Sequence, residues 1–180
     1  QKVALYLGGI EPGRGIDKLV HVFEKRSDDS MIVVFVGYGS LVSYLKASPS
    51  YGRTVFYHSA VPRNQIAHVA SSADIGLCLV NPTCLSYSYC MPNKLFEYLM
   101  SGLPVVVSSC VSLKRFVKHH SIGFTIDEMN TKALISAINL IVASDLKDMK
   151  LRSRETAVAN SWEIQATLLR SEYQKLFKKG

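Results

Sequence analysis

The feature that most constrains the fold is a regular alternation of short apolar runs with amphipathic segments. The apolar runs lie at residues 3–7, 31–36, 54–57, 75–79, 105–107 and 124–126. Segments with helical spacing of apolar residues fill the gaps, at 16–26, 40–47, 64–71, 93–101, 112–119 and 131–143. Strands that are apolar throughout are typical of parallel sheets, whose strands are joined by crossover helices. The pattern therefore predicts an α/β fold, a doubly wound parallel sheet of about six strands.

The stretch 91–108 carries the clearest local signals. Pro92 suits the first turn of a helix, and Gly102 suits the position just after its end. One apolar face at helical spacing comprises Leu95, Phe96, Leu99 and Met100. Because a parallel sheet gathers the carboxyl ends of its strands at one edge, the start of this helix should lie beside the ligand-binding crevice. Unpaired N–H groups at such a helix start can bind a phosphate.

Lys94 and Glu97 stand three residues apart at the start of this helix. Two interpretations are open. They are ligand-binding groups in the crevice, or they form an exposed i,i+3 ion pair worth about 0.2–0.5 kcal/mol.

Glycine-rich segments follow the first two predicted strands. The segment 8–15 contains Arg14, and glycine there would let the backbone approach a phosphate closely. It is neither a P-loop nor a G-x-G-x-x-G fingerprint, and a solvent-facing Arg14 in a tight turn is the alternative. The Gly37-Tyr38-Gly39 turn is similarly compatible with a plain loop.

Composition excludes several classes of protein. The 180 residues are 48% hydrophobic, enough for one domain with a sizeable core, yet no apolar run approaches the length of a membrane span. The net charge of +7 could favour phosphate-bearing ligands or an anionic membrane surface. No nucleic-acid-binding motif is present, so no nucleic-acid partner is expected.

The cysteines and the start of the chain bear on location. The four cysteines lack CxxC pairing or metal spacing, which indicates reduced thiols and a cytoplasmic protein, with the inner membrane face as a further option. The chain opens directly on a predicted strand with no signal peptide, so we expect a piece of a longer protein.

The run Pro92-Asn93-Lys94-Leu95-Phe96-Glu97-Tyr98-Leu99-Met100-Ser101-Gly102-Leu103-Pro104-Val105-Val106-Val107-Ser108 resembles the signature of the nucleotide-sugar-binding half of group 1 GT-B glycosyltransferases. The resemblance implies that residues 1–180 form a single Rossmann-like donor-binding domain, the C-terminal half of a two-domain enzyme. It implies that Glu97 binds the ribose hydroxyls of the donor. It also implies that Asn93 and Lys94 contact the diphosphate.

Other segments resemble the same family in the same order. They imply donor contacts at Gly9 and Arg14, at Gly37 in the second glycine pair, and near the nucleobase at Val61. The family has an arginine where Gly9 stands, and its first glutamate falls at Tyr89. Hydroxyls of Ser88 and Tyr89 are the candidates to replace that carboxylate. Asp74 is interpreted as a turn or capping residue.

The implied activity is transfer of a sugar from a nucleotide diphosphate sugar to an acceptor hydroxyl, in bacterial-type polysaccharide or glycoconjugate synthesis. The family is mostly retaining and uses no metal ion or cofactor, because cations and helix amides stabilise the leaving diphosphate. The acceptor lies on an N-terminal partner domain, so the fragment alone should be inactive. A terminal helix over residues 162–178 would pack on this domain or toward the missing one. The sequence does not identify a catalytic residue.

Two alternatives stay open. One is half of a sugar-nucleotide epimerase, which would normally carry more acidic and histidine residues in these loops. The other is a nucleotide-binding or interaction domain that kept the fold without catalysis. The substitutions at Gly9 and Tyr89 lend weight to the second.

Overall fold

The computed structural model describes residues 1–177 and contains one six-stranded sheet with all strands parallel. Its order is β3-β2-β1-β4-β5-β6. The strands are β1 (Lys2–Gly9), β2 (Met31–Tyr38), β3 (Val55–Ser59), β4 (Ile75–Cys78), β5 (Val105–Val107) and β6 (Gly123–Thr125). The predicted α/β class and the doubly wound parallel sheet are therefore confirmed. The first two strands run further toward their carboxyl ends than predicted, because both continue through their glycines.

The helices within residues 1–177 are α1 (Ile16–Glu24), α2 (Val42–Lys46), α3 (Ile66–Ser71), α4 (Leu85–Ser88), α5 (Asn93–Met100), α6 (Val111–His120), α7 (Thr131–Ala143), α8 (Lys147–Ala159) and α9 (Trp162–Phe177). A 3-10 turn over Arg63–Gln65 precedes α3. The short helix α4 had no sequence signal, since its residues are mostly exposed and show no apolar period.

Two hydrophobic layers cover the sheet. Helices α1 and α7 pack on one face through residues such as Phe23 and Ile138, around Tyr6 and Phe35. Helices α3, α5, α6 and α8 cover the other face. Burial on both faces explains why the central strands are apolar throughout.

The strand order reverses between β1 and β4, and ligands of open α/β sheets bind in the crevice at such a switch point. Here β1 and β4 pair over a short register, Ala4 with Ile75 and Leu5 with Gly76. Beyond these two residue pairs, the side chain of Tyr98, on α5, joins the two strands. The N–H of Leu7 donates to Tyr98 Oη at 2.7 Å, and that hydroxyl donates to the carbonyl of Leu77 at 3.3 Å.

Gly76 makes this arrangement possible. A Cβ built on Gly76 would lie 2.4 Å from a ring carbon of Tyr98. The missing side chain thus lets the Tyr98 ring lie flat against the strand, and α5 is held at the switch point.

Helix α9 is the exception to this packing. No side chain between Trp162 and Phe177 is buried, and Trp162 itself is 72% exposed. The predicted end of this helix at Lys178 lies outside the described residues. None of the helices within residues 1–177 is both long enough and apolar enough to cross a membrane.

Replacing Tyr98 by phenylalanine should lower the free energy of unfolding by about 1–3 kcal/mol, because the buried N–H of Leu7 loses its acceptor. Urea unfolding measures this difference. Tyr44→Phe is the matched control, since Tyr44 is 43% exposed. Equal stability of the two variants would contradict the bridging role of Tyr98.

Candidate functional site

A cavity of about 360 Å³ lies at the carboxyl ends of β1 and β2, against the start of α5. We call it the switch-point cavity. It is lined by Leu7, Gly8, Val36, Gly37, Tyr38, Ala60, Val61, Ile66, Pro92, Asn93, Lys94 and Glu97. From distant parts of the sequence it brings together the predicted site residues Gly37, Val61, Asn93, Lys94 and Glu97.

Lys94 is the most unusual residue of the cavity. Its side chain is buried, with 9% exposure, and within residues 1–177 its Nζ has no hydrogen-bond partner. The Nζ lies 3.8 Å from the centre of the Tyr6 ring, a cation–π contact. The hypothesis of an exposed Lys94–Glu97 pair is therefore wrong, because packing of α5 on the sheet turns the lysine inward.

Burial lowers the pKa of Lys94 to about 8, and the nearby positive charge of Arg14 acts in the same direction. The carboxylate of Glu97 opposes this shift. At neutral pH the ammonium group is still mostly protonated. A buried cation of this kind costs free energy unless an anion compensates it, so the site favours an anionic ligand.

The glycine-rich loop after β1 lies beside the switch-point cavity, which Gly8 lines but Gly9 and Arg14 do not. A Cβ built on Gly8 would lie 3.7 Å from Lys94 Nζ, and one on Gly9 would lie 3.8 Å from Arg14 Nε. The side chain of Arg14 is half-buried. Although Arg14 and Lys94 are far apart in sequence, their charges act on each other across the end of β1.

Gly37 has a structural reason to be glycine. A Cβ at this position would lie 1.9 Å from the carbonyl oxygen of Gly8, because β1 and β2 stay paired through Gly37. This close approach shapes the wall of the cavity.

Asn93 and Glu97 face the cavity from the first turns of α5. Both also line a larger open cavity of about 710 Å³, which extends toward the junction of α8 and α9 and which we call the outer cavity. Val61 follows β3 on the opposite wall. The cavity thus has a cationic end near Lys94 and a carboxylate at Glu97, one turn further along α5.

Ser88 and Tyr89 lie elsewhere. Ser88 ends the short helix α4, and Tyr89 is 61% exposed; neither lines the switch-point cavity. No carboxylate takes the place of the family's first glutamate in that segment, since residues 75–95 contain none.

Sequence reasoning missed Tyr6, whose ring supports Lys94, and the wall residues Tyr38 and Ile66. The position of Tyr6 two residues before the Gly8-Gly9 pair, near a strand end, is a usable signal. The contact of Tyr6 with Lys94 could not be predicted from spacing, because the two residues are far apart in sequence.

Asp74 lies in a bend just before β4, but its carboxylate bonds to residues distant in sequence and not to its own turn. Its carboxylate accepts the N–H of Val3 at 2.8 Å and pairs with Lys150 at 3.4 Å. Across the described part of the chain, no three His, Cys, Asp or Glu side chains are grouped so as to hold a metal ion.

The unpaired Lys94 predicts an unusual dependence of stability on pH. Its pKa is lower in the folded chain than the ordinary 10.5, so unfolding takes up a proton between pH 8 and pH 10.5 and stability rises with pH across that window. Relative to Lys94→Met, the wild type should gain about 3 kcal/mol from pH 7 to pH 10.5. Urea unfolding of both proteins across this range measures the difference, and a constant difference would contradict the burial of a titrating lysine.

The fold is shared with several solved structures. A sucrose-phosphate synthase from Thermosynechococcus elongatus aligns over 100% of this chain and 46% of its own, with a TM-score of 0.82 and 21% identity. S. aureus TarM, as a variant crystallised with fondaparinux, alpha-GlcNAc-glycerol and UDP, aligns over 98% of this chain and 35% of its own, with a TM-score of 0.74 and 18% identity. Anabaena HepE, in complex with UDP and glucose, aligns over 97% of this chain and 47% of its own, with a TM-score of 0.71 and 15% identity.

The chain spans less than half the length of each of these three structures. No curated protein matches it in sequence. The family described as "Glycosyl transferases group 1" matches residues 1–158, which is most of the chain. On this match and the six-stranded parallel fold, the chain belongs to the group 1 family of glycosyl transferases.

Proposed function

We propose that the chain is the donor-binding domain of an enzyme that transfers a sugar from a nucleotide diphosphate sugar to an acceptor hydroxyl. The observation that carries the proposal is the buried, unpaired ammonium group of Lys94, with Arg14 nearby, at the switch point of the sheet. Two cations at this place suit a ligand with two adjacent negative groups, which a nucleotide diphosphate provides.

The proposed pose follows the order of groups along the cavity. The diphosphate lies at the end of β1, between Lys94, the loop bearing Gly9 and Arg14, and the first N–H groups of α5 near Asn93. Gly8 and Gly9 leave the backbone open there. Gly37 has no side chain either, so the cavity wall there also leaves room for the diphosphate.

The remaining groups of the donor lie further along α5. The ribose hydroxyls donate to the carboxylate of Glu97, one helical turn beyond the diphosphate. The nucleobase meets Val61 on the opposite wall. A cavity of about 360 Å³ is within the range typical of small-molecule sites.

The chemistry assigned to these residues is stabilisation of the leaving diphosphate. As the bond between sugar and phosphate breaks, negative charge grows on the phosphate oxygens. The cations of Lys94 and Arg14 and the amides of α5 are already in place to receive it. We propose a metal-independent transfer on this basis, and a retaining one because the group 1 family is mostly retaining.

The nucleotide and the second domain are further parts of the proposal. UDP or UDP-glucose accompanies solved relatives of the same fold, among them HepE and TarM, so UDP is the first nucleotide to test. The acceptor, belonging to polysaccharide or glycoconjugate synthesis, would bind a second domain. The 180-residue chain should then bind nucleotide without transferring sugar. The enzyme would work in the cytoplasm or at the inner face of the membrane.

One observation favours a second candidate, a nucleotide-binding domain without catalysis. Residues 75–95 contain no acidic residue, so the carboxylate that the family has at the position of Tyr89 is missing from this sequence. Turnover of a UDP-sugar by a protein that contains this domain and its partner domain would exclude this candidate.

Calorimetric titration with UDP, GDP and ADP tests the donor site. We expect one nucleotide to bind in preference, and Glu97→Ala to weaken it at least about tenfold, because the ribose hydroxyls lose a charged acceptor. Glu155→Ala, at an exposed position on α8, is the control and should leave the affinity unchanged. The proposed site would be overturned if UDP, GDP and ADP all failed to bind, or if the two variants bound with equal affinity.

The protonation of Lys94 predicts the pH dependence of nucleotide binding. Affinity should be flat near pH 7 and should fall as pH rises above about 8, because the free protein then loses the ammonium charge. The phosphates of the nucleotide are almost fully ionised throughout this range, since their last pKa is near 6. Titrations from pH 7 to pH 9.5 measure the effect, and a Lys94→Met protein should bind weakly with no such dependence.

A further inference from the structure

A separate cavity of about 320 Å³ lies on the outer side of α6, and we call it the α6 cavity. Its lining residues are Met91, Ser112, Arg115, Phe116 and His119. None of them lines the switch-point cavity or the outer cavity. The donor site described above therefore makes no use of it.

The polar groups of the α6 cavity converge because of helical spacing. Ser112, Arg115 and His119 stand at positions i, i+3 and i+7 of α6, and they share one face of the helix. They present a hydroxyl, a guanidinium and an imidazole side by side. This set donates hydrogen bonds and carries positive charge.

The charge of Arg115 is not used inside the domain. Lys114, its neighbour on α6, forms an ion pair with Asp127, and Lys118 also lies near that carboxylate. Arg115 points to the other side, is exposed, and has no ion-pair or hydrogen-bond partner within residues 1–177. The cavity thus holds an available guanidinium with no competing carboxylate in its lining.

The other wall of the α6 cavity is apolar. Met91 contributes a thioether, and Phe116 contributes a ring that packs edge-on against Phe96 at 5.9 Å and meets the His120 ring at 4.6 Å. Phe96 lines the outer cavity, so the aromatic pair separates the two spaces. The α6 cavity is therefore an apolar pocket with one cationic side.

We propose that the α6 cavity binds a phosphomonoester attached to a small apolar group. The planar guanidinium of Arg115 suits bidentate contact with phosphate oxygens, and Ser112 and His119 supply further donors. The apolar part of the ligand packs on Phe116 and Met91. The volume is at the lower end of the range for ligand pockets, which suits a small ligand rather than a whole nucleotide sugar.

The same chemistry can come from a soluble phosphorylated compound or from the headgroup of an anionic phospholipid. Met91 immediately precedes Pro92 and α5, so a ligand here would contact the segment that leads into the donor site. The proposal does not depend on nucleotide binding, since it uses none of the residues assigned to the donor.

Phenyl phosphate is the probe, and the background is the Lys94→Met chain, in which phosphate binding at the proposed donor site is weakened. We expect phenyl phosphate to shift the imidazole NMR signals of His119 and His120 in a saturable titration. Arg115→Gln should weaken this binding at least about fivefold, because the charge-assisted bonds are lost. Lys118→Gln is the matched control, because Lys118 is an exposed cation of the same helix. This variant should change the affinity by less than about twofold.

Three results would overturn the proposal: no saturable shift, equal weakening by both variants, or benzoate binding as tightly as phenyl phosphate. Since Arg115 and Lys118 are both exposed, neither variant should unfold the chain, and thermal melts check this. Sedimentation with phosphatidylcholine vesicles containing phosphatidic acid separates the two sources of ligand. Co-sedimentation lost in Arg115→Gln would assign a lipid headgroup, and phenyl phosphate binding without co-sedimentation would assign a soluble phosphomonoester.

Discussion

The contact between the Tyr98 ring and Gly76 sets the geometry on which the rest of the site depends. Strands β1 and β4 separate at the switch point, and the Tyr98 hydroxyl joins the backbone of both. This is possible because Gly76 has no side chain where the ring lies. Since Tyr98 and Lys94 are one helical turn apart on α5, anchoring the tyrosine also directs the lysine toward the end of β1.

The electrostatic character of the site follows from that placement. A lysine carried to the sheet by a packed helix cannot reach bulk water, so its charge is held over the Tyr6 ring without an anionic partner. A buried cation of this kind opposes folding, and residues that destabilise the folded state in this way are typical of binding sites. Gly8, at the end of β1, has no side chain beside the cation. Family membership and this charge lead to the same proposal by independent routes.

Much of the fold and part of the site could be predicted from the sequence. The strand–helix alternation indicated the parallel sheet, and the Pro92 and Gly102 boundaries indicated α5. Gly37, Val61, Asn93, Lys94 and Glu97 were each proposed for the site and do line one cavity. Spacing alone could not decide between a buried and an exposed Lys94. Helical periodicity identifies the apolar face of a helix, but it does not say how deeply the residues bordering that face are buried. Ser88 and Tyr89 are candidates because the family's first glutamate falls at Tyr89, and the fold of the segment before α5 puts both outside that cavity.

The sequence by itself determined the element types, their order and the parallel class of the sheet, since these depend on local propensity and on the period of apolar residues. Only the tertiary structure decided which side chains meet. The cation over Tyr6, the proximity of Arg14 to Lys94 and the aromatic wall between Phe96 and Phe116 all join residues that are distant in sequence. Such contacts depend on the order of strands and on how far each helix approaches the sheet, and no local pattern encodes either quantity.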